Sequence, residues 1–338
     1  MDRPLVAVVL AGGVGTRLYP ASRSHRPKQF LALDGEESLL ARSVSRVTPL
    51  ADDVVVVTRP DFADAVHDHA PEARVLVEPD GKDTGPALTY ATHRVAGEYG
   101  DETTDPVVLA LPSDHHVGDD FPAVARRGAR VAADTESLVT FGVSPSRPET
   151  GYGYIEPGRD RGSYRDLAAF HEKPDEETAV RYVDAGYLWN AGIFAWTPDA
   201  FLSAARDSPL APLVDALDDG DPDVGFDAVD PVSVDYAVME RTENAVVVPV
   251  DVEWDDLGSW DALARVLPTD GDGNAVLGDA HLLDAEDCVV ASDDKRVSVV
   301  GVSDLAVVAW DDRVLVVPKS EAQRVREAVA DLERRGEF

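Results

Sequence analysis

The stretch LVAVVLAGGVGTRLYP, residues 5–20, joins an apolar run to a glycine-rich turn. The unbroken apolar residues from Leu5 to Leu10 are typical of a strand that is buried on both faces. Further apolar runs and amphipathic segments then alternate along the chain, at 39–47, 54–58, 86–99 and 107–111. This alternation predicts an α/β fold, with a Rossmann-like, mostly parallel sheet and helices on both faces.

The residues that directly follow two of these apolar runs are glycines or polar residues. The sequence AGGVGTR, residues 11–17, follows Leu10, and PSDHH, residues 112–116, follows Leu111. In open α/β sheets, ligands bind beyond the carboxyl ends of the strands. We therefore expect functional residues in both segments.

The sequence changes character near the turn-rich segment PTDGDG, residues 268–273. Short β-branched runs follow it, separated by acidic turns, and an amphipathic stretch at 321–334 closes the chain. This pattern predicts a main domain at 1–268 and a small β-rich C-terminal domain with a closing helix at 272–338. The runs assigned to that β unit are 289–291, 297–302, 305–310 and 314–317.

The chain of 338 residues is strongly acidic. It has 64 Asp and Glu residues against 31 Lys and Arg residues, for a formal net charge of −33. This charge argues against general binding to nucleic acid or to an anionic membrane surface. The acidic residues are dispersed rather than gathered in one tail, a composition that resembles proteins of salt-adapted organisms.

Two further features bear on cellular location and redox chemistry. No apolar run approaches the roughly 20 residues that span a bilayer, and the run from Leu5 to Leu10 enters the glycines without a cleavage pattern. We therefore expect a cytoplasmic protein. The single cysteine, Cys288, rules out an internal disulfide, and its apolar neighbours predict an inert strand position.

Four basic residues follow the glycines in this acidic chain: Arg17, Arg23, Arg26 and Lys28. Glycines after a buried strand let backbone N–H groups turn toward an anion such as a triphosphate. The spacing matches neither a P-loop nor the dinucleotide-binding pattern. A local positive pocket would let an anionic substrate approach a protein of charge −33.

The run LAGGVGTRLYP at 10–20, continued by SR at 22–23 and PKQF at 27–30, resembles the opening of the sugar-nucleotide pyrophosphorylases. Its PKQF ending resembles the mannose-1-phosphate guanylyltransferase branch of that family. Further segments resemble the family in the same order along nearly the whole chain: 78–87, 112–116, 150–155, 172–174, 190–194, 233–240 and 254–260.

The resemblance implies a nucleotidyltransferase domain at 1–268. It implies transfer of a nucleotidyl group from GTP to mannose 1-phosphate, giving GDP-mannose and pyrophosphate. Two alternatives stay open at this point: a glucose-1-phosphate uridylyl- or thymidylyltransferase, and a non-catalytic nucleotide-sugar sensor. A sugar kinase would need a different phosphate loop and would release a nucleoside diphosphate. The C-terminal unit supports subunit contacts in many relatives, so a homodimer is an open expectation.

The resemblance also implies which residues bind the nucleotide. In the segment 78–87, the family commonly has Arg-Asn-Thr-Ala where this chain has Lys82, Asp83, Thr84 and Gly85. This departure leaves the base less determined, and a plain turn at the start of a helix is the alternative interpretation. The expected nucleotide-binding residues are Ala11, Gly12, Gly13, Gly15, Thr16, Arg17, Glu78, Thr84 and Ser113.

The sugar phosphate is expected at a second group of residues. The resemblance assigns Glu172 and Asn190 to sugar hydroxyls and Lys173 to the sugar's phosphate. Lysine is scarce in this chain, and its retention at Lys28 and Lys173 fits point-charge contacts to phosphate that a planar guanidinium would not reproduce. The expected sugar-phosphate residues are Gly151, Tyr152, Glu172, Lys173, Asn190 and Gly192, and the expected catalytic residues are Arg17, Lys28 and Lys173.

A Mg²⁺ site is expected at two carboxylates. Asp114 lies at the end of a predicted strand, where a carboxylate can hold a divalent cation against phosphate oxygens. The resemblance supplies Asp256 as the second ligand. His115 and His116 do not form a zinc pattern, because there is no nearby cysteine and no helical His spacing.

The expected reaction needs no general base. A sugar 1-phosphate has a second pKa near 6, so it is largely dianionic at neutral pH and carries its own nucleophile. No Ser-His-Asp order or reactive cysteine is evident in the sequence. The sequence therefore predicts a direct, Mg-assisted displacement that depends on positioning and on charge neutralisation.

Overall fold

The computed structural model describes residues 3–33, 35–99 and 105–338, which form two compact units. Unit 1 takes its described residues from Met1–Gly12, Ser43–Ser113 and Val117–Trp254. Unit 2 takes its own from Gly13–Arg42, Asp114–His116 and Asp255–Phe338. Each unit is thus assembled from separated segments of the chain. The linear boundary at 268–272 stays a prediction.

The strands are, in chain order, β1 (Leu5–Leu10), β2 (Asp53–Thr58), β3 (Arg74–Val77), β4 (Val107–Pro112), β5 (His116–Val117), β6 (Leu138–Val143), β7 (Tyr154–Asp160), β8 (Arg165–His171), β9 (Leu188–Trp196), β10 (Ala245–Val250), β11 (Trp254–Asp255), β12 (Ala275–Leu283), β13 (Val289–Val300), β14 (Leu305–Trp310) and β15 (Arg313–Pro318).

The α-helices are, in chain order, α1 (Leu39–Val47), α2 (Ala63–His69), α3 (Thr84–Tyr99), α4 (Phe121–Thr135), α5 (Glu176–Asp184), α6 (Pro198–Arg206), α7 (Ala211–Asp218), α8 (Pro222–Asp227), α9 (Trp260–Val266) and α10 (Val325–Arg335). Short 3₁₀ turns lie at Thr16–Leu18, Lys28–Phe30, Pro60–Phe62 and Lys319–Arg324, and a π-helical turn lies at Asp235–Met239. None of the helices in the described part of the chain is both long enough and apolar enough to cross a membrane.

Unit 1 is built on a sheet with the strand order β3-β2-β1-β4-β9-β6-β10-β8-β7. The strands β3, β2, β1 and β4 run parallel, as do β6 and β10. Strand β9 lies antiparallel between β4 and β6, and β7 and β8 form an antiparallel hairpin across the turn at 161–164. The α/β prediction is confirmed. The sheet becomes mixed beyond β4. The short turn between β7 and β8 accounts for their antiparallel pairing, whereas β9 is antiparallel to β4 and β6 without such a connection.

Both faces of this sheet are covered. Val6 and Val8 of β1 share a buried cluster with Leu88 and Ala91 of α3. The alternate residues of β1 point to the opposite face, and they too are buried. Apolar residues on both faces explain the unbroken apolar run of β1.

Unit 2 has its own sheet, of order β12-β13-β14-β15, in which β14 and β15 pair antiparallel and the other neighbours pair parallel. Its core unites Leu18 and Leu31 with Val289 and Val308 around the fully buried Trp260. The indole Nε1 of Trp260 donates a 2.8 Å hydrogen bond to the Tyr19 carbonyl. Residues after the glycine loop therefore share a core with the C-terminal strands.

Two details of unit 2 differ from the sequence prediction. The runs 289–291 and 297–302 belong largely to one strand, β13, because Asp293 and Asp294 lie within a strand whose exposed positions tolerate charge. The closing helix begins as a 3₁₀ turn at Lys319–Arg324 before α10. Cys288 is buried, but it lies directly before β13 rather than in the strand position expected from the sequence.

Candidate active site

The glycine loop begins where β1 ends. In unit 1, the Ala11 N–H donates to the Val57 carbonyl at 2.8 Å, and the Ala11 carbonyl accepts from the Thr58 hydroxyl at 2.9 Å. A Cβ added to Gly12 would lie 3.1 Å from Oε1 of Glu78. The neighbouring strands β2 and β3 thus fix the start of the loop and bring Glu78 against it.

In unit 2, Gly15 allows Lys28 to approach the loop. Gly15 has φ +73°, and a Cβ added there would collide with Cβ of Lys28. The Lys28 N–H also donates to the Val14 carbonyl at 3.0 Å. Glycine is needed here for its left-handed conformation and for its missing side chain.

Lys28 holds two aspartates of unit 2. Its ammonium lies 2.9 Å from Oδ2 of Asp114 and donates to the backbone carbonyl of Asp256. Burial, the largest single influence, would raise the pKa of both aspartyl groups, but the charges of Lys28 and His115 and the hydrogen bonds together outweigh it, so each pKa lies below the usual range. Both carboxyl groups are therefore ionised at neutral pH.

Arg17 borders the same aspartates, whereas the two arginines after it pair elsewhere. One guanidinium nitrogen of Arg17 lies 3.9 Å from Oδ2 of Asp256, and another donates to Gln323 at 2.8 Å. Arg23 and Arg26 form ion pairs with the turn before β15 instead, at 2.8 Å to Asp312 and 2.7 Å to Asp311. Of the basic cluster, Arg17 and Lys28 remain beside the aspartates.

His115 also belongs to this cluster. Its Nε2 lies 3.9 Å from Oδ1 of Asp114, and burial lowers the pKa of its imidazole. Sequence reasoning considered His115 only as a zinc ligand. Within residues 3–33, 35–99 and 105–338, no group of three or more His, Cys, Asp or Glu side chains is arranged to hold a metal on its own.

The pair Asp114 and Asp256 nonetheless fits Mg²⁺. Magnesium takes oxygen ligands, keeps several waters, and is usually held by one or two carboxylates together with substrate phosphates. Both carboxyl groups are ionised. The Asp114 carboxylate lies beside the Lys28 ammonium, and Asp256 meets the same ammonium through its backbone carbonyl, so the two residues offer hard oxygen donors within unit 2.

Glu78 presents an unsatisfied carboxylate oxygen in unit 1. The residue is only 4% exposed, and Oε2 has no hydrogen-bond partner among the residues that the structure describes. Burial raises the pKa of Glu78 to about 7, against the opposing charge of Arg59. Arg59, whose guanidinium stacks 4.6 Å from the Phe62 ring centroid, was missed by sequence reasoning, since no motif marks it.

The turn before α3 is tied to a distant segment of unit 1. The Thr84 hydroxyl accepts a 3.0 Å hydrogen bond from the Val234 N–H, and Lys82 donates to the carbonyls of Phe226 and Val229. Asp83, at φ +71°, accepts from the Thr84 N–H. The turn therefore starts α3 and also binds the segment 226–234 of unit 1.

Ser113 lies where β4 ends. Its N–H donates to the Leu10 carbonyl at 3.0 Å, and its carbonyl accepts from the Ser43 hydroxyl at 3.1 Å. Ser113 is buried, and its N–H bond to Leu10 joins the end of β4 to the end of β1. This places it at the sheet edge where the sequence predicted ligand contacts.

The expected sugar residues gather in unit 1. The Asn190 N–H donates to the Gly153 carbonyl at 2.9 Å, and a Cβ on Gly153 would lie 2.6 Å from Oε2 of Glu172. Oδ1 of Asn190 accepts from the Gly192 N–H at 3.1 Å. Lys173 forms an ion pair with Glu172, and the Gly151 N–H donates to Glu149.

Tyr152 packs into an aromatic cluster beside these residues. Its ring meets Trp189 and Trp254 edge to face, with centroids 5.2 and 5.0 Å apart. It is 8% exposed. The buried ring of Tyr152 thus anchors the loop that carries Gly151.

Asp235 was treated as a supporting residue by sequence reasoning, and the structure places it in the same pocket. Its Oδ1 accepts a 2.9 Å hydrogen bond from Nδ2 of Asn190. Burial, and then the neighbouring charge of Glu172, raise the pKa of Asp235 to about 7. The signal available in the sequence was its place in the matching segment 233–240.

Thus unit 2 brings together Gly13, Gly15, Thr16, Arg17, Lys28, Asp114 and Asp256. Unit 1 contains Ala11, Gly12, Glu78, Thr84 and Ser113, together with the sugar residues Gly151, Tyr152, Glu172, Lys173, Asn190 and Gly192. A buried ammonium and ionised carboxylates that can hold a cation suit a metal-bound polyanion. The carboxylate and amide groups of unit 1 suit hydroxyl and amide donors.

Comparison with known proteins identifies the family. Residues 6–272 match the Nucleotidyl transferase family, and residues 278–332 match the MannoseP isomerase/GMP-like beta-helix domain. An Escherichia coli protein named mannose-1-phosphate guanylyltransferase is 38% identical, over 98% of this chain and 74% of that protein. The alginate biosynthesis protein AlgA of Pseudomonas putida is 36% identical, over 98% of this chain and 72% of its own length.

A solved structure is similar along the whole chain. It is described as a mannose-1-phosphate geranyltransferase from Thermus thermophilus, with a TM-score of 0.91 and 37% identity. The match covers 98% of this chain and 99% of that one. By sequence and by fold, this chain belongs to the mannose-1-phosphate guanylyltransferase family of nucleotidyltransferases.

Proposed function

We propose that this chain transfers the guanylyl group of GTP to mannose 1-phosphate, giving GDP-mannose and pyrophosphate. The observation that carries the proposal is the position of Lys28, whose buried ammonium contacts both Asp114 and Asp256 in a chain of charge −33. A buried cation that holds two ionised aspartates beside a glycine loop suits a triphosphate with its metal ion. The relatives named above support the choice of both substrates.

Glu78 supports guanine as the base. Guanine presents an N1–H and an exocyclic NH₂ on one edge, and a carboxylate can accept hydrogen bonds from both donors. Oε2 of Glu78 is buried without a partner among the described residues, so a base that offers donors would satisfy it. Uracil and thymine offer a single N–H on the matching edge and would satisfy it less fully.

The sugar phosphate is assigned to the pocket of Glu172, Lys173 and Asn190. Glu172 and Asn190 carry the acceptor and donor groups that sugar hydroxyls require. Lys173 is a cation of this pocket, and its side chain is 59% exposed, so it is accessible to a phosphate. Gly153 leaves room for the Glu172 carboxylate at this pocket, because it carries no side chain.

The reaction is a single displacement at the α-phosphorus of GTP. A phosphate oxygen of mannose 1-phosphate forms the new bond to phosphorus, the bond to the bridging oxygen breaks, and pyrophosphate leaves with that electron pair. Mg²⁺ held by Asp114 and Asp256 would supply charge neutralisation on the phosphates. Arg17 and Lys28 add positive charge at the triphosphate, and Lys173 orients the attacking phosphate.

A donor and acceptor matrix tests the proposal. The purified protein is incubated with Mg²⁺ and molar KCl, with GTP, UTP or dTTP against mannose 1-phosphate or glucose 1-phosphate, and pyrophosphate is measured. We expect the highest kcat/KM for GTP with mannose 1-phosphate. Preference for UTP or dTTP with glucose 1-phosphate would support the alternative transferase instead. Binding of GDP-mannose without pyrophosphate release from any pair would support the sensor.

The assembly of the protein stays a prediction. A homodimer remains the expectation from family resemblance, and light scattering of the purified chain in molar KCl tests it. A mass near 36.3 kDa would indicate a monomer, and twice that value a dimer.

A further inference from the structure

The turn before α3 and the segment before the π-helical turn are joined by a ladder of backbone hydrogen bonds. The Val232 N–H donates to the Lys82 carbonyl at 3.2 Å, and the Gly85 N–H donates to the Val232 carbonyl at 3.0 Å. A Cβ on Gly85 would lie 2.6 Å from the Val232 carbonyl oxygen. Glycine at this position permits the close approach, because any side chain would collide with that oxygen.

Lys82 strengthens the same attachment. Its ammonium donates to the carbonyls of Phe226 and Val229, at 2.7 and 3.1 Å. These carbonyls lie at the end of α8 and in the residues after it. Lys82 therefore binds the residues around the end of α8, within unit 1.

Thr84 completes the ladder with its side chain. Its Oγ1 accepts a 3.0 Å hydrogen bond from the N–H of Val234, which is 1% exposed. Val234 directly precedes the π-helical turn Asp235–Met239. A buried N–H without an acceptor is unfavourable, so the Thr84 oxygen holds the start of this turn in place.

The π-helical turn in turn orients the sugar pocket. Asp235 accepts from Nδ2 of Asn190 at 2.9 Å, while Oδ1 of Asn190 accepts from Thr140 and Gly192, each at 3.1 Å. Both ends of the Asn190 amide are therefore engaged, and the amide has a second N–H that can donate to a ligand. The direction of that N–H depends on the position of Asp235.

We propose that Thr84 is a positioning residue of the sugar pocket, acting on Asn190 through Val234 and Asp235, rather than a contact to the nucleotide base. This inference rests on the proposed function, because it assigns the pocket of Asn190 to mannose 1-phosphate. It gives the segment 82–85 a role in acceptor binding, whereas family resemblance placed Thr84 beside the base.

The test compares Thr84→Val with Thr84→Ser in the full chain. Valine keeps the shape of threonine but removes the acceptor for Val234, whereas serine keeps the acceptor. We expect Thr84→Val to raise KM for mannose 1-phosphate about tenfold, with KM for GTP changed less than about twofold. Thr84→Ser should recover most of the loss. Thr135→Val, at the end of α4, removes a hydroxyl that donates within its own helix and serves as the matched control.

A second arm tests the route through Asp235. In an Asp235→Ala background the link to Asn190 is already broken, so adding Thr84→Val should raise KM for mannose 1-phosphate less than about twofold further. A full additive effect would overturn the proposed route. A rise in KM for GTP alone, or a loss that serine does not rescue, would overturn the assignment of Thr84.

Hydrogen exchange separates failure of this inference from failure of the proposed function. Absence of pyrophosphate release by the wild-type protein with GTP and mannose 1-phosphate would contradict the proposed function. The exchange measurement needs no substrate. Amides of residues 234–239 should lose protection in Thr84→Val and regain it in Thr84→Ser, and unchanged protection would contradict the inference.

Discussion

The ammonium of Lys28 lies 2.9 Å from Oδ2 of Asp114, and only 5% of the Lys28 side chain is exposed. A buried ammonium without a counter-charge is strongly unfavourable, so Asp114 stabilises the fold as well as serving the site. Asp256 differs, because it meets Lys28 through its backbone carbonyl. Substitution of the Asp256 side chain leaves that contact in place.

Alanine at each aspartate should therefore have different effects on stability. We expect Asp114→Ala and Asp256→Ala each to lower kcat/KM by about a thousandfold or more, because each removes a proposed ligand of the Mg²⁺ ion that would neutralise the phosphates. Asp114→Ala should also lower the free energy of unfolding by about 3 kcal/mol, and Asp256→Ala by much less. Pyrophosphate release and urea unfolding measure the two effects.

The double variant Asp114→Ala with Lys28→Met is the control for that difference. It removes both charges, so it should regain stability relative to Asp114→Ala without regaining activity. Near-normal turnover in either single alanine variant would remove that aspartate from the site. Equal losses of stability in the two would contradict the paired role of Asp114.

The glycine loop allows a matched pair of substitutions. Gly15→Ala places a methyl group against Lys28 at a positive φ, so we expect a loss of about 1–3 kcal/mol in unfolding free energy together with a lower kcat. A Cβ at Gly13 would meet no atom of the described residues within 4 Å, and Gly13 has no positive φ. Gly13→Ala should keep its stability but raise KM for GTP, because the added methyl lies where the triphosphate is proposed to approach.

Thermal unfolding and GTP titration separate these two outcomes. If Gly15→Ala were as stable and as active as the wild-type protein, the close fit between Gly15 and Lys28 would contribute to neither stability nor activity. Equal loss of stability in both variants would show that the loop as a whole, rather than Gly15, sets the fold.

The sequence identified this loop and its lysine for reasons that are local. A buried strand followed by glycines predicts an anion site, and Asp114 follows a second strand of the same sheet. Asp256 could be found only by family resemblance, since nothing in its neighbours marks it. The α/β class followed from the apolar runs, but the antiparallel position of β9 depends on pairings that no local pattern states.

Tertiary contacts decide which arginines lie at the site, and the sequence does not show these contacts. Arg23 and Arg26 look equivalent to Arg17 in the sequence, yet they pair with Asp312 and Asp311 from the far end of the chain. The charge of Arg59 acts on the pKa of Glu78 only because β2 and β3 bring the two residues together. Such neighbours could not be predicted from spacing or composition.

Glu78 should make GTP binding depend on pH. Its pKa lies at about 7, so the ionised fraction rises from about one tenth at pH 6 to about nine tenths at pH 8. If the ionised carboxylate accepts from guanine, KM for GTP should fall by up to about tenfold across this interval. In Glu78→Gln the dependence should flatten and the affinity at pH 8 should fall.

GTP itself also titrates in this pH interval. Its titration affects the wild-type protein and Glu78→Gln equally, so the difference between their pH dependences reports on Glu78 alone. The measurement is KM for GTP at saturating mannose 1-phosphate. The same pH dependence in Glu78→Gln as in the wild-type protein would contradict a base-binding role for Glu78.

The dispersed acidity should make stability depend on salt. Repulsion among the charges extends over a Debye length of about 30 Å at 0.01 M salt and about 3 Å at 1 M. We therefore expect Tm and activity to rise between low salt and molar KCl. Calorimetry at matched pH measures the effect, and a Tm indifferent to KCl would contradict it.

The most direct test of the account is the stereochemistry at the α-phosphorus of GTP. The central claim is that mannose 1-phosphate attacks this atom directly, without a covalent enzyme intermediate. The measurement uses GTP made chiral at the α-phosphorus by sulfur substitution, and it follows the configuration of the GDP-mannose analogue formed. The account predicts inversion, and net retention would contradict it.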